Sequence, residues 1–344
     1  MCKETGALGQ FDIKKNSLNT IRLLAAISVM FGHACTHLSV ERPIILSQVL
    51  EYFFGVPIFF AMSGYLIWNS VGKSKDFLSY AKKRFWRIYP ELWVGVAIEI
   101  VSIILFYEGT IQWGKLGLFT ITQGTFLQFW TPDFLRAYGC GTPNGSLWTI
   151  CVLIQFYILA YPMGKLLRGK KLGVWLGAIG ASLVVAAVSP LLENVLPEIV
   201  YKLYNQTIVP YLWLFLMGEF VAENQTKLIP WLRKWWLPLF ALSVAVMAVG
   251  IDVMGGPHRY GILRCTTLIA ALLGFAYRFP QLNVKTDISY GIYIYHMIVV
   301  NVMISVAAVG TLTHVFAAMA ISCVVAYLST KTVGRLHLEK RKAS

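Results

Sequence analysis

Charged residues are scarce in this sequence of 344 residues, at 13% of the total, whereas hydrophobic residues make up 57%. A soluble domain typically carries about 25% charged residues, so the composition excludes an ordinary soluble protein. Cysteine is also rare: there are six, and four of them fall in apolar runs, where cysteine usually behaves as a small hydrophobe. The sequence therefore predicts an integral membrane protein without a disulfide framework.

Linkers, low-complexity tracts and a separate soluble domain are missing as well. The longest segment between apolar runs, about residues 108–145, is rich in glycine, threonine and aromatic residues. From this we expect no appended hydrolase or esterase module. Because no small-residue cleavage site closes the first apolar run, that run is predicted to be a signal anchor that stays in the chain.

Apolar runs of about 20 residues, the length that crosses a bilayer, predict an all-α membrane protein with about ten transmembrane helices. The predicted spans are residues 21–40, 50–70, 88–107, 146–164, 172–190, 207–222, 235–251, 261–277, 288–307 and 313–330.

The positive charges divide unequally between the two sides of this arrangement. One alternating set of connecting segments holds 23 lysines and arginines and the opposite set holds 5. The positive-inside rule then predicts that both termini are cytoplasmic. The expected location of the protein is the plasma or inner membrane. We expect a cytoplasmic segment (1–20), a transmembrane domain (21–330) and a basic cytoplasmic tail (331–344). The net charge of +14 thus reflects topology rather than a nucleic-acid partner, and the main partner is the lipid bilayer.

Two ionisable residues, Arg22 and His33, interrupt the first apolar run. Burying such residues in a membrane is costly, so a functional site is the default hypothesis. Eleven residues make about three helical turns, which places both side chains on one face, about 16 Å apart. Arg22 is expected near one mouth of the span and His33 near mid-bilayer, where the imidazole could act as a general base. A histidine that only hydrogen-bonds a neighbouring helix is the alternative interpretation.

A dense cationic cluster, Lys82–Arg87, leads into the third predicted span. Topogenic charge explains most such clusters. Alternatively, Arg84 and Arg87 project to the same side of a helix and, with Lys83, could bind a phosphate-bearing donor.

Further polar or aromatic side chains are candidates to line a cavity: Glu99, His296 and Trp148. Glu99 and His296 could equally be structural, and Trp148 could belong to an interfacial aromatic belt. His33 and His37 have the i, i+4 spacing of a metal pair. No third ligand has recognisable spacing, so no metal is expected.

Several segments of the chain resemble the acyltransferase-3 family of membrane acyltransferases, and they occur in the family's order. Arg22 and His33 match its arginine, ten residues, histidine motif. The other similar segments are Gly55–Ile67, Arg84–Pro90, Ser146–Ile150 with Gln155–Tyr157, and Ile288–His296.

The resemblance implies transfer of an acyl group, most often acetyl from cytoplasmic acetyl-CoA, to a hydroxyl of a cell-envelope or exported carbohydrate. His33 would take the catalytic role, and Arg22, Arg84 and Arg87 the basic positions linked to donor binding or support of the active site. The chain departs from the family at Leu153, where many relatives have glutamate, and at Pro57, where aspartate is usual. Glu99 and Glu219 are candidates for the substituting acid.

Two alternatives to an enzyme remain. A transporter or flippase could use Arg22, His33, Glu99 and His296 to line a translocation path. An inactive scaffold or sensor could retain the fold, and Leu153 is the argument for it.

Overall fold

The computed structural model describes residues 12–42, 47–49 and 52–342, with side chains through Gly334. Within these ranges the α-helices are α1 (Leu18–His37), α2 (Gly55–Gly72), α3 (Phe77–Phe106), α4 (Trp113–Gln123), α5 (Trp148–Leu167), α6 (Leu172–Val188), α7 (Glu198–Tyr204), α8 (Leu212–Glu223), α9 (Gln225–Val249), α10 (Ile262–Arg278), α11 (Ser289–Ser305) and α12 (Leu312–Lys342). A short antiparallel hairpin, β1 (Met254–Gly255) and β2 (Tyr260–Gly261), joins α9 to α10.

Six helical segments in the described residues are long and apolar enough to cross a membrane. They are Leu18–His37, Phe77–Phe106, Gly145–Leu167, Leu172–Asn194, Gln225–Val249 and Leu312–Gly334. The protein is therefore an all-α, multi-pass membrane protein. Each of the ten predicted spans overlaps a helix, but α8 has 12 residues and α10 and α11 have 17 each, fewer than the roughly 20 needed for a full crossing. The count of ten and the cytoplasmic termini stay predictions.

The structure describes less of the predicted N-terminal segment than of the predicted C-terminal tail. Residues 1–11 of the predicted cytoplasmic segment lie outside the described residues, as do residues 50 and 51 of the second span. At the other end, α12 continues through Lys342. The backbone of the predicted basic tail is thus helical as far as residue 342.

Close packing of α2 against α8 forms the centre of the largest apolar cluster. A Cβ atom at Gly64 would collide with the carbonyl of Phe215, and one at Gly218 would collide with the carbonyl of Ala61. Small residues at such crossings let two membrane helices approach closely. Beside this pair, α1 contacts α2, α10, α11 and α12, which places its polar face inside the bundle.

The start of α1 is tied to the end of α10. The backbone N–H of Ser17 donates to the Ala276 carbonyl at 2.9 Å, and the Ser17 hydroxyl donates to the same oxygen at 3.2 Å. Ser17 is fully buried. These bonds hold the first turn of α1, and therefore Arg22, at a defined position.

Candidate active site

Arg22 forms an ion pair with a carboxylate that the sequence analysis did not single out. Its Nη1 atom lies 2.6 Å from Oδ2 of Asp287, just before α11. Arg87 of α3 approaches the same oxygen at 3.7 Å. The three side chains are between 14% and 31% exposed. This charge triad joins three elements that are distant in sequence.

Asp287 is also bonded to the first residue of α11. Its Oδ1 atom accepts hydrogen bonds from the Ser289 backbone N–H at 3.0 Å and the Ser289 hydroxyl at 2.5 Å. Burial raises the pKa of Asp287, but the charges of Arg22 and Arg87 and these hydrogen bonds outweigh it and hold the pKa below its usual value. An aspartate shortly before a predicted helix is typical of a helix start, and this was the signal available in the sequence.

A cavity of about 80 Å³ lies against the charge triad. Its walls combine cationic, hydroxyl and apolar side chains, among them Arg22, Arg87, Ser63, Tyr157, Leu153 and Tyr293. Leu153 therefore makes part of this wall apolar at the position where the family resemblance leads us to expect glutamate. The cavity offers hydrogen-bonding groups and positive charge in a confined, largely apolar space, which suits the end of a polar chain-like molecule.

Tyr293 of α11 lines this cavity and also contacts His296. Its hydroxyl donates to the Ser146 carbonyl at 2.9 Å and accepts from the Thr149 hydroxyl at 2.6 Å. Its ring lies 6.0 Å from that of His296, measured between centroids. These two hydrogen bonds hold the Tyr293 side chain in place.

His33 and His296 are in direct contact. Nδ1 of His33 lies 2.9 Å from Nε2 of His296, and the ring centroids are 5.2 Å apart with the ring planes inclined by 24°. His296 is buried, whereas His33 is half-buried. α1 ends at His37, one turn after His33, so His33 lies near the C-terminal end of its helix. Its expected depth near mid-bilayer stays a prediction. The structure thus places the two histidines together, outside the lining of the cavity that contains Arg22.

Arg84 and Arg87 contact different partners and line different spaces. Its Nη2 atom donates to the Ser70 hydroxyl at 3.0 Å, and its guanidinium lies over the rings of Tyr80 and Tyr157. Arg84 lines a second, mainly apolar groove of about 190 Å³ that has Ile88 and Tyr157 in common with the first cavity. Lys83 lines neither space. The expected joint clamp is therefore divided between two cavities.

The remaining candidate residues lie away from this cavity lining. Trp148 packs on Tyr211 and on His258, with ring centroids 5.6 and 4.8 Å apart. Glu99 and Glu219 are buried, and within the described residues their carboxylate oxygens have no hydrogen-bond partner. Neither acid bonds His33 or His296, so neither substitutes for the missing glutamate by direct contact. In the described part of the chain, no three His, Cys, Asp or Glu side chains are grouped as metal ligands.

The segment expected between the third and fourth spans is attached to α11 through Asn301, five residues after His296. Asn301, fully buried, accepts from the Cys140 backbone N–H at 2.7 Å. It also donates to the carbonyls of Thr142 and Pro143 at 3.1 and 2.7 Å. One side chain thus satisfies three backbone groups of this segment, a role that nothing in the sequence pattern indicated.

We expect Asn301→Leu to lower the free energy of unfolding by about 3 kcal/mol, since three hydrogen bonds worth about 1 kcal/mol each are lost. Thermal unfolding in detergent measures the change. Ser305→Ala is the control one turn along α11, because its hydroxyl bonds only to the Asn301 carbonyl of its own helix. Equal unfolding curves for the two variants would contradict the attachment.

Comparison with known proteins adds to this geometry. The model of a family described as an acyltransferase domain matches residues 15–331. The chain is 30% identical to "Nodulation protein 10" of Rhizobium leguminosarum bv. viciae over 324 residues, 86% of each chain. It is 25% identical to an "O-acetyl transferase" of Shigella phage Sf6 over 313 residues, 86% of this chain and 88% of the relative.

A shorter similarity covers part of a larger relative. The chain is 24% identical over 152 residues to "Peptidoglycan O-acetyltransferase OatA" of Listeria monocytogenes, which is 42% of this chain and 23% of that protein. No solved structure matches the chain.

Proposed function

The chain belongs to the acyltransferase family whose model matches residues 15–331, and on this premise we propose that it is a membrane O-acetyltransferase that modifies a carbohydrate. Relatives named as O-acetyltransferases support the reaction class. The observation that carries the proposal is the pair of polar contacts that α1 makes through Arg22 and His33. Arg22 pairs with Asp287 beside the cavity, and His33 contacts His296. Acetyl-CoA from the cytoplasm is the proposed donor, and a cell-envelope or exported carbohydrate is the proposed acceptor.

In the proposed reaction His33 is the general base. Its free ring nitrogen takes the proton from the acceptor hydroxyl while the hydroxyl oxygen attacks the thioester carbonyl carbon. A tetrahedral intermediate forms, the carbon–sulfur bond breaks, and the thiolate of coenzyme A leaves and recovers the proton. The products are the acetyl ester and coenzyme A, and the imidazole returns to its neutral form.

The charge triad is proposed to serve the donor. Arg22 and Arg87 face one carboxylate, so the cluster keeps an excess of one positive charge next to the cavity. Ser63 and Tyr157 add hydroxyls to the same lining, and these can bond the amide groups of the pantetheine arm. Tyr293 lines this cavity and its ring also contacts His296, so the proposed route of the acetyl group toward His33 runs along this ring.

The separation of Arg84 from Arg87 allows the donor site to be located. We expect Arg87→Gln to raise the KM for acetyl-CoA about tenfold with little change in kcat, because a charge-assisted hydrogen bond contributes about 1.5–3 kcal/mol. Arg84→Gln tests the second groove in the same assay. Arg259→Gln is the control, since Arg259 pairs with Glu193 on an exposed surface.

An increase in KM for Arg87→Gln alone supports the cavity as the donor site. An increase for Arg84→Gln alone would move the donor to the groove, and no increase for either would remove both arginines from donor binding.

The function itself is tested with purified protein in lipid nanodiscs, acetyl-CoA and a panel of carbohydrates with free hydroxyls. The expected result is release of the coenzyme A thiol in step with formation of a base-labile acetyl ester, detected by mass spectrometry. Carbohydrate uptake into sealed vesicles without thiol release would instead support the transporter, and inactivity in both assays would support the scaffold.

A further inference from the structure

Each ring nitrogen of His296 has a hydrogen-bond partner, and the two partners differ in whether they can donate a hydrogen bond. Nδ1 lies 2.9 Å from the carbonyl oxygen of Ile292, one turn earlier in α11. Nε2 lies 2.9 Å from Nδ1 of His33. A carbonyl oxygen only accepts hydrogen bonds, so the proton of a neutral His296 is on Nδ1.

This assignment determines the protonation of His33. With its proton on Nδ1, neutral His296 has an unprotonated Nε2, which can only accept. The 2.9 Å contact then requires His33 to donate from Nδ1. A neutral His33 that carries its proton on Nδ1 has a free lone pair on Nε2, which is the atom a general base needs.

The surroundings favour this neutral arrangement over a charged one. His296 is 1% exposed, and none of the ion pairs in the described part of the chain includes either ring. A charged imidazolium buried without a compensating carboxylate is costly. The charged or titratable groups near His33 also fail to supply an anion, since they are His37 on its own helix and Arg42, whose guanidinium donates to the Gly32 carbonyl.

Nε2 of His33 is available for an acceptor. No hydrogen bond joins it to another described residue, and the His33 side chain is half-buried rather than fully enclosed.

We propose that His296 is a positioning residue that fixes His33 as the Nδ1–H tautomer and orients its Nε2 atom toward the acceptor hydroxyl. The Ile292 carbonyl, His296 and His33 form a chain of two hydrogen bonds that starts from the backbone of α11. The proposal rests on the proposed function, in which His33 is the base. It adds the residue that selects the reactive form of that base, because a histidine in the opposite tautomer would present a proton where a lone pair is required.

Two amide variants separate the bonds that His296 makes. In His296→Gln the side-chain oxygen can reach the place of Nε2 and accept from His33, but the backbone bond is lost. In His296→Asn the amide can replace Nδ1 and donate to the Ile292 carbonyl, but it cannot reach His33. The two residues are similar in chemistry, so a purely structural role predicts no preference for glutamine.

We expect His296→Asn to lower kcat for acetyl transfer about 100-fold with the KM values unchanged, as expected when the group that orients a catalytic histidine is removed. His296→Gln should retain kcat within about tenfold of the unchanged chain. Equal kcat values for the unchanged chain and His296→Asn would overturn the proposal. Equal losses in both amide variants would also overturn it.

Nitrogen NMR of protein labelled with ¹⁵N-histidine gives a readout that does not depend on activity. The His33 signals are identified by their absence in His33→Ala, and protonated and unprotonated ring nitrogens are well resolved. A protonated Nδ1 and an unprotonated Nε2 on His33, retained in His296→Gln and lost in His296→Asn, support the proposal. The opposite tautomer in the unchanged chain would overturn it. Absence of acetyl transfer by the unchanged chain would contradict the proposed function, and the tautomer would still be decided by these spectra.

Discussion

Membranes that carry His33→Ala should incorporate at least about 100-fold less labelled acetyl from acetyl-CoA into carbohydrate than membranes that carry the unchanged chain. General base catalysis typically contributes 10²–10⁴-fold, and alanine leaves no group to take the proton from the acceptor hydroxyl. His33 is half-buried and its one described hydrogen bond is to His296, so the fold should survive the change. Equal amounts of protein in the two membrane preparations, measured by immunoblot, would confirm that the loss lies in catalysis.

His37→Ala is the matched control for this experiment. His37 lies one turn further along α1, with its ring edge against His33 at a centroid distance of 5.9 Å. We expect it to retain activity within about threefold because it is not part of the hydrogen-bonded chain that ends at Ile292. Full activity of His33→Ala would remove the proposed mechanism. Loss in both variants would mean that the C-terminal end of α1, rather than one imidazole, is required.

The sequence was sufficient to locate most helices, because membrane crossing demands long apolar runs. The fourth predicted span, 146–164, corresponds to α5, and the predicted fifth, 172–190, corresponds to α6. The same criterion missed α4, an 11-residue helix inside the segment expected to connect two spans. Its length is below any membrane threshold, so hydropathy could not separate it from a loop.

The partners of the polar residues could not be predicted in the same way. Helical spacing placed Arg22 and His33 on one face, but it could not show that Asp287 and His296, more than 260 positions away, complete their hydrogen bonds. Such contacts depend on how α1 and α11 pack, and periodicity describes one helix at a time. The family resemblance brought His296 to attention, whereas Asp287 lies just before the motif that carried that resemblance.

Side-chain length explains why Arg84 and Arg87 do not form the joint clamp that their spacing predicted. Arg84 and Arg87 begin on one side of α3, as a spacing of three residues requires. Each guanidinium then reaches its own partner, the Ser70 hydroxyl on α2 in one case and Asp287 before α11 in the other. A spacing rule fixes the Cβ directions but not the ends of long side chains.

Asp287→Asn should lower the free energy of unfolding by about 2 kcal/mol. Breaking a fully buried pair costs about 3–5 kcal/mol, and the partial exposure of these side chains reduces that figure. Asparagine keeps the size of aspartate and can still accept from Ser289, but it leaves Arg22 and Arg87 facing each other without an anion. Adding Arg22→Gln to Asp287→Asn should recover part of the loss, because the repulsion between two like charges disappears. Thermal or denaturant unfolding in detergent measures all three variants.

The matched control is Glu193→Gln, which neutralises a carboxylate in the exposed pair with Arg259 and should change stability by less than about 0.5 kcal/mol. The pH dependence gives a second, independent check. Because the pKa of Asp287 is lower in the folded protein than its usual value, its contribution is complete above the unfolded value of about 4 and is lost as the pH falls through the folded value. The difference in stability between the unchanged chain and Asp287→Asn should therefore be constant near neutral pH and shrink only below about pH 4. A difference that already shrinks near pH 6 would point to a histidine instead, and equal stability at every pH would mean that the charge triad does not hold α1, α3 and α11 together.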